Sequence, residues 1–230
     1  LKLAAANVEV LPLGEIADRI QKTLDILTAE YSDLPERQRS IQAIFESSWQ
    51  LLNMDEQRVF ASLSVFLNGF TLEAAEQVAQ VSLSVLKGLT RKSLVQLNRI
   101  EWSLFYLPQG QAEAVYRYHI HALLRRFAAD KLQKTFDMRE VNTRFADYFL
   151  HFAQNNAKNI KALELEWDNL RDAMAYAADH DEHAMVIAYA YALGEAWYIR
   201  GRYTDSRVGF KWACAAAEQM GDDRALVNFL

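Results

Sequence analysis

The sequence predicts a mostly α-helical chain with one small β-hairpin, and three observations lead there. Glycine and proline are scarce, 8 and 3 in 230 residues, so long helices joined by short turns are expected. Through most of the chain apolar residues recur every three to four positions, the period of a helix with one buried face. Alternation with a period of two, with β-branched and aromatic residues, is confined to residues 93–120.

At the start, Leu3, Val8, Leu11, Ile16, Ile20, Leu24 and Leu27 read as one or two helices interrupted at Pro12. The polar stretch YSDLPERQR, with Pro35, marks a boundary before a helix striped by Ile41, Ile44, Phe45, Trp49 and Leu52. Asn53 followed by Glu56 has the spacing of a capping box, in which each side chain satisfies an orphaned amide of the first turn. The helix it opens should bury Val59, Phe60, Leu63, Phe66 and Leu67 and close near Asn68-Gly69. Thr71 should cap a second helix burying Ala75, Val78 and Ala79. Ser82 should cap a third burying Leu83, Leu86 and Leu89. The segments SLVQL, WSLFYL and VYRYHI then read as β structure, with Pro108-Gln109-Gly110 turning between the last two. Three short helices followed by a hairpin predict a winged-helix domain.

From about residue 121 the pattern is helical again. The expected inner faces include Phe145, Tyr148, Phe149 and Phe152, then Leu163, Leu170, Met174 and Ala177. Ile187, Ala190, Tyr191, Gly194 and Trp197 follow, and then Phe210, Ala213 and Ala217. Short polar breaks, ADHDEH, RGRYTD and QMGDD, predict antiparallel helix pairs of an α-solenoid. EAWYIRGRYTDSRVGFKWACAAA has the shape of a tetratricopeptide-like (TPR-like) pair, with Trp197 and Tyr203 in its core and Gly201 in its turn. Trp167, Tyr198 and Trp212 are expected in the repeat core, although some of these aromatics could line a peptide-binding face.

Charge and cysteine usage narrow the function. The formal charge of −5 argues against a chain-wide phosphate-binding surface, although residues 55–134 are mildly basic. The single cysteine, Cys214, cannot form an internal disulfide and sits in an apolar run that predicts a small buried thiol. No apolar run approaches the roughly 20 residues of a membrane span. No basic, signal-like start precedes an apolar stretch, so a cytoplasmic location is expected and no membrane partner. The opening LKLAAANVEVL, without Met, reads as the middle of a longer protein.

Enzymatic signals are weak. His119 and His121 flank one apolar residue in YRYHIHALLRRFAAD, but a metal site would need further ligands, and no zinc-type spacing lies nearby. His180 and His183 read as a solvated turn. There is no G-x-S-x-G, and no base neighbours Cys214.

The string DLPERQRSIQAIFESSWQLLNMDEQRVFASLSVFLNGFTLEAAEQV, followed by LKGLTRKSLV and YHIHALLRRFAADKL, resembles the winged-helix part of bacterial STAND (NB-ARC-type) signal-transduction ATPases. LEWDNLRDAMAYA and WYIRGRY are similar to the start of the TPR-like repeats that follow it there. On that resemblance residues 1–33 are the end of a helical lid subdomain, 34–135 the winged helix with its leading linker helix, and 136–230 TPR-like repeats. The family's ATPase lies upstream and needs a glycine-rich phosphate loop. This chain has no G-x-x-x-x-G-K-[ST], so it is expected to hold no cofactor itself, to be no enzyme, and to meet ADP or ATP only through its own upstream NTPase domain.

The resemblance also implies that His121, at the start of the helix after the hairpin, senses the β-phosphate of ADP. The acidic residue that commonly follows it in the family is replaced by Ala122. Trp197, Tyr198, Arg200 and Tyr203 are the implied face for a protein or peptide ligand, and self-oligomerisation on activation is implied as well. The competing reading is a winged-helix DNA-binding transcriptional regulator with a helical sensor domain. Lys87 and Arg91 would then face the duplex beside Ser84 and Gly88, with Lys92 at the helix end.

Overall fold

A computed structural model describes residues 41–102 and 113–229. The expected lid helices, the Pro12 and Pro35 breaks, most of WSLFYL and the Pro108-Gln109-Gly110 turn lie outside those residues. The described chain is mostly helical, in the order α1 (Ile41–Gln50), α2 (Met54–Ser62), a 3-10 turn (Leu63–Val65), α3 (Leu72–Ala79), α4 (Leu83–Arg91), β1 (Gln96–Trp102), β2 (Glu113–His119), α5 (Ala122–Thr135), α6 (Met138–Asn155), α7 (Ile160–Leu165), α8 (Trp167–Asp179), α9 (His183–Ile199), α10 (Tyr203–Met220) and α11 (Asp223–Phe229). Two compact units share it. Among the described residues, those from Ile41 to Ser64 group with those between Gln80 and Asp137, while Val65–Ala79 group with those from Met138 onward.

In the first unit the capping box forms as its spacing requires: the Glu56 amide donates to Asn53 Oδ1 at 2.9 Å, and the Asn53 amide to Glu56 Oε2 at 3.0 Å. Val59, Phe60 and Leu63 of this helix and turn are buried, as are Leu86 and Leu89 of α4. Ser82 caps α4 through the Val85 amide. Strands β1 and β2 pair antiparallel, with Gln96 opposite His119 and Trp102 opposite Glu113. Part of SLVQL and the residues up to Trp102 therefore form one strand. Phe127 of α5 packs against Phe45 and, edge-on, Trp49, with ring centroids 5.8 and 6.1 Å apart. Lys131 lies over the Trp49 and Phe127 rings and pairs with Glu46 at 2.8 Å.

The second unit contains a segment the sequence assigns to the preceding domain. Phe66 packs against Phe70 in a tilted arrangement and meets Phe145 and Phe149 of α6 edge-on, at centroid distances of 4.8, 5.5 and 6.2 Å. Arg144 Nε donates to the Val78 carbonyl at 2.9 Å, and Asn169 Nδ2 to the Gly69 carbonyl at 3.1 Å. The helix expected to run to Asn68 stops at Ser62 for this reason: Phe66 and Phe70 serve another core, so the chain leaves its helical path. Leu67, expected inside, is exposed, and Gly69 takes a φ of 84° to turn the chain. Leu83, at the first position of α4, is likewise exposed.

Helices α8, α9 and α10 build the rest of this core around Leu170, Met174, Leu193 and Trp197. Tyr191, expected inside, is half exposed, and Tyr189 is buried instead, donating to the Ala146 carbonyl at 2.7 Å. Burial drives the Tyr189 phenol far above its ordinary range, with the Asp147 charge adding to it. Gly201 holds the α9–α10 turn at φ 62°, as expected. Tyr203 does not enter the pair's core. It is 73% exposed, and Trp197 packs on Gly209, where a Cβ would lie 2.3 Å from Cη2. Cys214 is half-buried rather than buried. Among the described residues no helix is long and apolar enough to cross a membrane.

Candidate functional site

The β2-to-α5 junction places His121 at the N-cap of α5, with φ −57° and ψ 138°. Its Nδ1 accepts the Leu123 amide at 3.3 Å, satisfying one of the orphaned donors of the first turn. An accepting Nδ1 carries no proton, so the neutral ring bears its hydrogen on Nε2 as a donor. His121 is exposed, and Nε2 has no partner among the described residues. His119 is half-buried at the end of β2, where burial and then the Arg117 charge hold its imidazole below the ordinary range. Among the described residues no three His, Cys, Asp or Glu side chains gather where they could hold a metal ion. His180 stacks on Tyr176, with centroids 4.0 Å apart, in the exposed turn before α9.

The α4 cations divide into two groups. Lys87 and Arg91 are exposed and carry no partner among the described residues. Lys92 is already engaged: Nζ lies 2.7 and 2.8 Å from the two oxygens of Glu56. This hydrogen bond is the main cause holding the Glu56 carboxyl below its ordinary range, against burial and with help from the Asn53 amide and the Lys92 charge. Gly88 faces the same carboxylate, since a Cβ there would come within 3.0 Å of Glu56 Oε1.

The residues expected on the repeat face separate as well. Tyr198 and Tyr203 are 80% and 73% exposed, and Arg200 Nε pairs with Glu164 at 2.9 Å. Trp197 is 3% exposed and belongs to the core, so it cannot present a face. Ile199, which sequence reasoning passed over, is exposed beside Tyr198. Between α8 and α10, with α9 as floor, lies an apolar cleft of about 100 Å³ lined by Trp167, Trp197, Val208 and Trp212. Arg202 lies 4.3 Å above the Trp167 ring, whose Nε1–H donates to Asp205 at 2.9 Å.

Comparison with known proteins gives partial guidance. No family model matches the chain. Three proteins named as proposed HTH-type transcriptional regulators, one from Mycobacterium bovis and two from strains of Mycobacterium tuberculosis, are each 28% identical over 240 residues. The alignment covers 99% of this chain and 26% of each relative, so the chain spans about a quarter of their length. A solved Signal Transduction ATPase with Numerous Domains (STAND) protein with a tetratricopeptide repeat sensor, from Pyrococcus horikoshii, matches at 15% identity and a TM-score of 0.35. That match covers 98% of this chain and 38% of the other, and at this TM-score it carries no argument about the fold.

Proposed function

We propose that the chain is a non-catalytic regulatory segment of a STAND-type ATPase. Its first unit works as a winged helix that closes on ADP held by a nucleotide-binding domain elsewhere in the same protein. Its TPR-like helices receive the signal, and their protein or peptide ligand meets the exposed Tyr198, Ile199 and Tyr203. The observation that carries this reading is His121: an exposed N-cap imidazole, its Nδ1 satisfied by the helix and its Nε2–H left as a donor. A helix N-terminus already favours an anion, and a fixed imidazole donor beside it is suited to a β-phosphate.

Two substitutions in the intact protein test it. His121→Ala removes both the cap and the donor, whereas His121→Ser keeps a capping oxygen and removes the imidazole. Both should release ADP about tenfold faster, the loss of one charge-assisted hydrogen bond. An ADP off-rate unchanged in His121→Ser would sink the assignment.

The second reading, a DNA-binding transcriptional regulator, is favoured by the names of the mycobacterial relatives and by the exposed Lys87 and Arg91. Lys92 weakens it, being committed to Glu56. Duplex affinity that falls steeply with salt and drops in Lys87→Ala and Arg91→Ala would support this reading over the first.

A further inference from the structure

A groove between α3 and α6, wholly within the second unit and open to solvent, has a volume of about 680 Å³, in the range of small-molecule sites. It takes no part in the nucleotide or DNA readings. Its lining mixes chemistry in an unusual way. Tyr148 and Phe152, one helical turn apart on α6, present half-buried rings whose centroids are 6.5 Å apart and inclined by only 32°. Around them stand two carboxylates, Glu73 and Asp147, neither with a hydrogen-bond partner among the described residues. Gln77 and Asn155 are exposed amides, likewise uncommitted. Asn156 gives its Nδ2 to the Phe152 carbonyl at 2.9 Å, which holds the turn at the end of the groove.

Two further groups complete the wall. Arg144 is held by the Val78 carbonyl and by an ion pair with Glu140, so its charge is balanced and its place fixed. His151 Nδ1 lies 2.8 Å from the Asp147 carbonyl, which can only accept, so Nδ1 carries a proton and donates. The groove therefore offers donors from the amides and Arg144, and acceptors from the carboxylates and the same amides.

This balance selects the ligand class. An ammonium compound only donates, so it would use the two carboxylates and leave the amide N–H groups to water. A phosphate or carboxylate only accepts, and it would face Glu73 and Asp147. An apolar ligand would strip water from all of these groups without replacing it. A hydroxyl both donates and accepts, and the C–H face of a sugar ring lies well on an aromatic pair. We propose that the α3–α6 groove binds a neutral polyhydroxylated ligand of the pyranose class, stacked on Tyr148 and Phe152 and hydrogen-bonded by Asp147, Asn155 and Gln77.

The test uses the whole 230-residue chain, with D-glucose, D-galactose and D-mannose as probes in saturation-transfer NMR, and spermidine and inorganic phosphate as contrasts. At least one sugar should bind saturably with a Kd on the order of 1 mM, the strength of a few hydrogen bonds in an open site. Asp147→Asn and Asn155→Ala alter exposed side chains and should retain the fold while weakening that sugar about tenfold. Phe152→Leu should keep the apolar contact and lose the stacking, with a similar loss. Absence of saturable binding by all three sugars, equal binding in the variants, or preference for spermidine or phosphate would overturn the proposal. None of these results bears on the ADP off-rate of the His121 variants, so the two readings fail separately.

Discussion

Glu56 joins three roles in one side chain. It closes the capping box of α2, pairs with Lys92 at the end of α4, and occupies the space left by Gly88. The capping role could be read from the Asn53/Glu56 spacing; the ion pair joins residues 36 apart and could not. Because its folded carboxyl titrates below the ordinary 4.5, the stabilisation is complete above that pH and is lost as pH falls through the lowered folded value. Glu56→Gln should cost about 1–2 kcal/mol at pH 7, discounted because Lys92 is partly exposed, and should flatten the acid limb of the stability profile. Urea midpoints measured from pH 7 to 3 check both; parallel profiles for the two proteins would refute the pair's role. His121 belongs at this scale too. Its place at a helix start was visible where alternation gives way to the helical period, but the tautomer emerged only from the Leu123 contact.

At the scale of elements, the α9–α10 pair distinguishes two glycines that look alike in sequence. A Cβ on Gly209 would come within 2.3 Å of Trp197 Cη2 and 2.9 Å of Cζ2, an overlap that a fixed indole in the core cannot relieve. A Cβ on Gly194 would meet Phe210 Cζ at 3.4 Å, an ordinary contact. Replacing a helical glycine by alanine gains up to about 1 kcal/mol, so the two sites should respond with opposite sign. Gly194→Ala should stabilise by about 0.5 kcal/mol, and Gly209→Ala should destabilise by about 1–2 kcal/mol once overpacking outweighs the helical gain. Chemical denaturation of the two variants decides this, and equal shifts would refute the packing argument. Sequence reasoning put Tyr203 opposite Trp197 because a TPR-like pair wants a large residue there. The structure instead lets the indole reach a glycine, leaving Tyr203 exposed. In α9 the face was illegible for a different reason: AMVIAYAYAL is apolar on every side, so the period does not choose between Tyr189 and Tyr191.

At the scale of the whole molecule the chain passes three times between its two units, at 64/65, 79/80 and 137/138. Gln80, at one crossing, adopts a φ of 52°, unusual for a residue with a Cβ. The segment 65–79 is thus a part of the second unit inserted in the sequence of the first. A fragment of residues 41–137 would retain Phe66 and Phe70 without Phe145 and Phe149. It should bind a hydrophobic dye and lack well-dispersed amide resonances, whereas the whole chain should do neither. A dispersed spectrum from the fragment, with no dye binding, would show that α3 needs no partner from α6.

The sequence alone determined what depends on neighbours within a few residues: helix periods, the caps at Asn53, Thr71 and Ser82, the glycine turn at 201, and the shift to alternation before His121. Short-range chemistry decides these, because a cap or a turn is satisfied within one turn of chain. Only the tertiary structure decided which core Phe66 serves, that Lys92 belongs to Glu56, that Trp197 rests on Gly209, and that α3 and α6 line one groove. Each of these joins residues too far apart in sequence for any local period to mark, so the folded arrangement alone brings them together.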